Sequence, residues 1–269
     1  MELSIIDTHA HLDMNTFKKD REEVIKRAVA AGVDTIICVG TNLASSRNCI
    51  QLAEEHEEIV AAVGIHPHEA STVKKSDITE LAKMAGHHRV VALGEIGLDF
   101  YRNYAPRAAQ LEALQWQLEL AVRTKLPVII HSRQAEKEML EVLKNWKTWF
   151  RDPHGERKGV IHCFSGDNST AKEYLDMGFY LALGAYIGYP NSVNAFNVIR
   201  GIPADRLLVE TDCPFLSPQD YRRKRNEPSM ITYTVEALAS IREVSFETIA
   251  RETTQNARRL FKMPSEMLR

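Results

Sequence analysis

Two histidines two positions apart, His9 and His11, follow the apolar run Leu3–Ile6. In extended backbone the side chains at i and i+2 point the same way, so a strand ending here projects both imidazoles together, as a pair of metal ligands would. His66, His68, His131 and His162 also lie at or just past the ends of short apolar runs. Glu95 follows Val90–Leu93, and Asp212 follows Leu207–Val209. The other histidines, His56, His87, His88 and His154, fall in helical or connecting stretches and are expected to be ordinary surface residues. Any one strand-end histidine can be satisfied by a backbone carbonyl, and either acid can cap a helix. Their repeated placement at strand ends points instead to a metal centre.

Imidazoles suit Zn, Mn, Fe, Co or Ni, whereas oxygen-only sites suit Mg or Ca. His9, His11, His131 and His162 with Glu95 and Asp212 provide enough donors for two divalent cations if one carboxylate bridges, and Glu95, from midway along the series of strands, is the natural bridge. Two such ions bring four positive charges against two carboxylates, a surplus of about +2 that favours an anion such as a phosphodiester. Asp212 is the best general base, because a carboxylate beside a metal centre can take a proton from water as attack begins. Arg133, two residues past His131, is expected on the same rim, where a guanidinium matches phosphate oxygens in bidentate geometry. His66 is either a ligand or a phosphate donor. Cys163 and Cys213 neighbour His162 and Asp212, but alternation turns them away, and they are not counted as ligands.

The elements that must position these residues are short β-branched runs alternating with longer helical segments. Candidate strands are Leu3–Ile6, Thr35–Val39, Val60–Ile65, Val90–Leu93, Pro127–Ile130, Gly159–Ile161, Phe179–Leu183 and Leu207–Val209. Helical stretches fall near Asp20–Ala31, Ser45–Glu55, Asp77–Ala85, Pro106–Thr124, Ala135–Phe150, Ser169–Met177 and Ser192–Arg200, with two more near Ser229–Arg242 and Ser245–Phe261. Pro106 suits a first helical turn, and Gly32 and Gly178 sit where a left-handed cap is wanted. Trp116, Trp146 and Trp149 read as packing residues on helices. Eight strands each followed by a helix, apolar on consecutive residues, predict a single α/β (β/α)8 TIM barrel over residues 1–269, with a doubly wound open sheet second. In such a barrel the carboxyl ends of the strands build the active site, which is where the histidines fall.

Of 269 residues, 44% are hydrophobic and 26% charged, with a formal net charge of −2, so any nucleic-acid contact must be local rather than a basic wrap. No apolar run approaches the roughly 20 residues that span a bilayer. No basic, apolar leader is evident, and the four cysteines lack Cys-x-x-Cys spacing, so a cytoplasmic chain with reduced thiols is expected, with no membrane and no obligatory protein partner. There is no Gly-x-Ser-x-Gly elbow, Walker loop or dinucleotide fingerprint.

The ordered stretches Asp7-Thr8-His9-Ala10-His11-Leu12, Gly64-Ile65-His66-Pro67-His68, Gly94-Glu95-Ile96-Gly97-Leu98-Asp99-Phe100-Tyr101, His131-Ser132-Arg133, His162-Cys163-Phe164-Ser165-Gly166, Glu210-Thr211-Asp212-Cys213-Pro214, Arg225-Asn226-Glu227-Pro228 and Asn256-Ala257-Arg258-Arg259-Leu260-Phe261 together resemble the TatD-type metal-dependent deoxyribonucleases of the amidohydrolase-like barrels. The resemblance implies that His9, His11, Glu95 and Asp212 hold one ion and Glu95, His131 and His162 the other. It also implies hydrolysis of DNA, often from the 3′ end of single strands and commonly supported by magnesium, whereas ligand softness favours zinc or manganese. Arg225 joins His66 and Arg133 as a candidate substrate contact. Gln134 stands where an aspartate is usual, and Gly184-Ala185-Tyr186-Ile187-Gly188-Tyr189-Pro190 departs from the family pattern. Both departures bear on substrate preference more than on catalysis.

The leading expectation is thus a metal-dependent nuclease. An amidohydrolase acting on a small amide or lactone is the alternative, weakened because many such enzymes bridge their metals with a carboxylated lysine where this chain has Glu95. A binding module with structural metals is third, since a full ligand set with a base points to turnover.

Overall fold

Eight parallel strands follow one another in sequence order around one sheet, β1 (Ile5–Ala10), β2 (Val33–Val39), β3 (Ile59–Val63), β4 (Val90–Asp99), β5 (Val128–Arg133), β6 (Gly159–Ile161), β7 (Tyr180–Leu183) and β8 (Leu207–Val209). The structure, a computed structural model, describes residues 4–147 and 158–263, so the predicted helix end at Phe150, Trp149 and His154 lie outside the described residues. The helices α1 (Arg21–Ala30), α2 (Leu43–Glu55), α3 (Lys75–Ala85), α4 (Arg107–Thr124), α5 (Glu136–Lys147), α6 (Asn168–Asp176) and α7 (Phe196–Gly201) connect successive strands, and α8 (Ile231–Arg242) and α9 (Phe246–Phe261) follow β8. An Ala10–Cys213 bridge and the Thr8 hydroxyl donating to the Val209 carbonyl (2.9 Å) join β1 to the β8 end, making a nearly closed (β/α)8 barrel. The expected open-sheet alternative is therefore not the fold. Among the described residues no helix is long and apolar enough to cross a membrane.

Period-two alternation explains why the strands read as continuously apolar. Ile6, Ile37, Val39, Val60, Ile129, Val160, Tyr180 and Leu208 form an inner cluster, while their neighbours Ile5, Ile36, Cys38, Ile59, Val128, Ile161, Leu181 and Leu207 pack outward with the helices. Ala257, Leu260 and Phe261 of α9 complete the inner cluster. Thr254 donates to the Ser4 carbonyl (2.8 Å), and buried Asn256 to the carbonyls of Ala204 (2.7 Å) and Leu207 (2.9 Å). The closing motif Asn256–Phe261 thus caps the end of the barrel where β1 and β8 begin, opposite the histidine rim.

Gly32 and Gly178 take the expected left-handed conformation, φ 86° and 88°. Pro106 falls one residue earlier than expected, as the N-cap of α4. Strand β4 runs six residues beyond its expected end at Leu93, through Glu95 to Asp99. The glycines in this extension serve close approach. A Cβ at Gly97 (φ 152°) would lie 1.9 Å from the His131 carbonyl oxygen, and one at Gly94 would lie 2.5 Å from the Ile129 Cβ. The four cysteines are free thiols, with the buried Sγ atoms of Cys38 and Cys49 3.2 Å apart.

Candidate metal centre

Strand β1 delivers His9 from within the strand and His11 just past its end. Their Nε2 atoms lie 3.2 Å apart. Glu95 Oε2 lies 3.5 Å from His9 Nε2 and 3.7 Å from His11 Nε2. Asp212 Oδ1 lies 3.5 Å from His11 Nε2 and 3.9 Å from His9 Nε2. The second oxygen of Glu95, Oε1, faces the other way, 2.7 Å from His131 Nδ1 and 3.8 Å from His162 Nε2. Bonds of about 2.0–2.2 Å to a shared ion put neighbouring donors roughly 3–3.6 Å apart. The His9–His11, His9–Glu95 and His11–Asp212 spacings fall in that range, and His9, His11 and Asp212, then His9, Glu95 and His162, and His66, Glu95 and His131 form groups that could hold an ion. Glu95 thus stands between two donor sets, one oxygen toward each.

The other nitrogen of each imidazole is what distinguishes ligand geometry from a chance cluster. His11 Nδ1 is 2.9 Å from the Val39 carbonyl, which fixes the tautomer and leaves Nε2 as a donor atom. His162 Nδ1 is 2.9 Å from Glu210 Oε1, and His131 Nε2 is 3.1 Å from Asp99 Oδ2. Two of the four candidate ligand histidines, His11 and His131, are therefore hydrogen-bonded through their outer nitrogen, as metal-bound histidines are, and His162 Nδ1 is held beside Glu210 by charge at 2.9 Å without hydrogen-bond alignment. His9 Nδ1 is buried with neither a hydrogen bond nor a carboxylate beside it among the described residues. His66 is wired the opposite way. Its Nδ1 accepts the His68 backbone N–H (3.1 Å), so the neutral ring carries its proton on Nε2, 3.5 Å from Glu95 Oε1. In that tautomer Nε2 is a hydrogen-bond donor, and without that proton His66 joins Glu95 and His131 as a group that could hold an ion, so the geometry accommodates both roles read from the sequence.

Burial pulls His66 down to about 4, so it stays neutral. Burial would also depress His11 and His162. For His11 the Asp212 hydrogen bond and the Glu95 charge outweigh it and hold the ring at about 9, and for His162 Glu210 and Asp212 hold it at about 10. Despite burial, Glu95 is held well below the usual carboxylate range by His66, His131 and His9, and Asp212 is lowered by His162 and His11. Asp99, against burial, is kept ionised by His131 and the Arg102 backbone N–H. Metal-free, protons on imidazoles carry positive charge that ions would otherwise bring.

Asp99 and Glu210 were not singled out from sequence, and they revise the charge balance. Counting them with Glu95 and Asp212, four carboxylates stand at or directly behind the site, so the surplus expected from two carboxylates disappears. Attraction for an anion rests instead on Arg102 and Arg133, which line the cavity of about 750 Å³ above the site. The Arg133 guanidinium lies over the Tyr101 ring at 4.1 Å. Cys163 is a second correction. It takes a left-handed conformation (φ 49°) just beyond β6, which breaks alternation, and it faces the cavity rather than away from it. Its thiol is pushed well up, by burial and by Glu210, and stays protonated. Cys213 is fully buried and does not line the cavity. Arg225 is a third. Its guanidinium is committed to Asp20 (2.9 and 2.6 Å) and the Thr16 carbonyl (2.7 Å), and it does not line the cavity. The divergent loop shapes the wall, with Tyr186 lining it and donating to the Phe164 carbonyl. Gln134 lies beyond β5 with φ 52°.

A (β/α)8 barrel with histidines and carboxylates gathered at the carboxyl ends of its strands defines the metal-dependent hydrolase barrels. The sequence pattern of the family described as TatD related DNase matches residues 6–262, and the chain belongs to that family. It is 39% identical over 259 residues to a Bacillus subtilis protein described as uncharacterized metal-dependent hydrolase YabD, covering 96% of this chain and 99% of that one. It is 35% identical to an Erwinia tasmaniensis protein named 3′-5′ ssDNA/RNA exonuclease TatD, covering 96% and 100%. Among solved structures, the YJJV TatD homolog of Escherichia coli K12 superposes with a TM-score of 0.90 at 32% identity, covering 98% of this chain and 100% of that chain.

Proposed function

We propose that the chain hydrolyses phosphodiester bonds of single-stranded DNA, from the 3′ end, with two divalent cations at the Glu95 site. The observation that carries this reading is the placement of Glu95, with Oε2 among His9 and His11 and Oε1 beside His131 and His162. His9, His11, Glu95 and Asp212 would hold one ion, and Glu95, His131 and His162 the other. The imidazole-rich set favours zinc or manganese, and magnesium is the other candidate. Bound there, such ions supply Lewis-acid polarisation of the phosphoryl group and activation of water. The relative named as a 3′-5′ ssDNA/RNA exonuclease supports the substrate and polarity.

The chain's own groups do the rest. Asp212 is held ionised yet keeps its side chain 14% exposed at the cavity floor, so it can take the proton of the attacking water. His66 presents Nε2–H as a neutral donor to a phosphoryl oxygen, and Arg133 holds the phosphate from the rim. The test is metal-restored release of nucleotides from end-labelled linear single-stranded DNA, with circular DNA as control. Asp212→Asn should lower kcat by about 10²–10⁴-fold. Full activity in that variant contradicts the base assignment, and resistance of linear DNA under every divalent metal contradicts the nuclease reading.

A further inference from the structure

Among the described residues, the large hydrophobic side chains exposed to solvent include only three aromatics, Tyr101 (52%), Tyr104 (66%) and Phe215 (49%). Phe215 lines the cavity over the metal centre, and Tyr101 and Tyr104 lie against its lining residues Arg133 and His68. Tyr101 is already engaged, with Arg133 over its ring at 4.1 Å and Arg102 at 5.6 Å, both of which line the cavity. Tyr104 and Phe215 have no such cover. They project from the loops after β4 and β8, which lie four strands apart in an eight-stranded barrel and so face each other across its mouth.

Each ring is fixed from behind. Tyr104 meets His68 edge to face, ring centroids 4.7 Å apart, and Phe215 meets His11 in the same manner at 6.0 Å. Each loop is also pinned by a fully buried amide. Gln110 donates to the carbonyl of Ala105 next to Tyr104 (2.8 Å) and to that of Asp99 at the start of the loop (3.1 Å). Asn226 donates to the carbonyls of Phe215 (2.7 Å) and Thr211 (2.8 Å). That explains the Arg225–Pro228 motif, in which Arg225 anchors on Asp20 and Asn226 holds the Phe215 loop. Leu216, beside Phe215, takes a left-handed conformation (φ 50°) that a branched side chain rarely adopts, so the surroundings over-determine this turn. Two exposed aromatic faces held rigid across a cavity containing arginines and histidines are not a surface for an apolar partner.

We propose that Tyr104 and Phe215 are stacking platforms for the unpaired bases on the two sides of the phosphate being cut, so that the rim itself selects single-stranded nucleic acid. The inference rests on the nuclease reading. Base–aromatic stacking requires splayed bases and tolerates any sequence. A paired base within a duplex has both faces covered by its neighbours and cannot use either platform. The phosphate between the two bases falls to Arg102 and Arg133.

The test is binding, measured by fluorescence anisotropy with Asp212→Asn protein in excess divalent metal, where the asparagine oxygen keeps a donor for the ion and loss of the base spares the probe. The probes are a labelled oligothymidine and an abasic oligomer of equal length and charge. Oligothymidine should bind at least about tenfold more tightly, and adding Tyr104→Ala or Phe215→Ala should each weaken it by roughly fivefold or more without changing binding of the abasic oligomer. Phe215→Trp should restore affinity, which a merely structural defect would not allow. If the alanine variants bind oligothymidine as the parent does, or lose both probes equally, the stacking assignment is overturned while the nuclease reading stands. If the parent binds neither probe and the unsubstituted protein cuts neither, the nuclease reading fails and takes the platforms with it.

Discussion

Replacing Glu210 by glutamine should weaken the metal centre without unfolding the protein. Glu210 is buried, and its Oε1 accepts the Cys163 backbone N–H (2.7 Å) and lies 2.9 Å from His162 Nδ1. Glutamine keeps an acceptor oxygen for these donors, so the principal loss is the negative charge that makes His162 a stronger ligand. Removing an outer partner of this kind costs about 10–100-fold in metal affinity, roughly 1.4–2.8 kcal/mol. Because His162 belongs to one donor set and His11 to the other, the change should fall mainly on one binding step. Calorimetric titration of the metal-stripped protein with manganese or zinc should show one step weakened by tenfold or more, the other within about threefold, and a melting temperature within a few degrees of the parent. Two unchanged steps would refute the claim that Glu210 orients a ligand.

His66→Ala should leave metal content unchanged while lowering turnover by about 10²-fold, the loss expected for one oriented donor; loss of bound metal would make His66 a ligand after all. In the metal-free protein His11 and His162 carry folded values of about 9 and 10 against an ordinary 6.5. The stability they contribute is therefore complete below pH 6.5 and is lost as the pH rises through 9–10. Metal must displace the same protons, so affinity measured between pH 7 and 9 should rise by up to about tenfold per pH unit per proton released, and a pH-independent affinity would contradict the assignment. Asn256→Ala strands two buried carbonyls at the closed end of the barrel and should cost about 2 kcal/mol in urea unfolding, with turnover of the folded protein unchanged.

The barrel was legible because parallel strands covered on both faces produce consecutive apolar runs, and β6 and β8 have the boundaries read from sequence. His9, His11, His131, His162, Glu95 and Asp212 were all singled out from their positions at strand ends, and the structure gathers them around Glu95. The misjudged end of β4 has a steric origin. A glycine is written the same way whether it breaks a strand or lets a neighbour approach, and at Gly97 the neighbour is the His131 carbonyl. Asp99 and Glu210 were missed because their partners, His131 and His162, lie across the sheet or on another strand, a relation with no local spacing. Cys163 was misplaced because alternation ends where the backbone turns left-handed. Arg225 was read as a substrate contact, and only the fold shows Asp20 beside it.

The central claim is that Glu95 joins two donor sets. Elemental analysis of the protein reconstituted with zinc or manganese and then freed of loosely bound ions tests this most directly. The predicted result is two ions per chain for the parent protein and almost none for Glu95→Ala, with Glu210→Gln between them. A parent that holds a single ion, or a Glu95→Ala variant that keeps both, would contradict it.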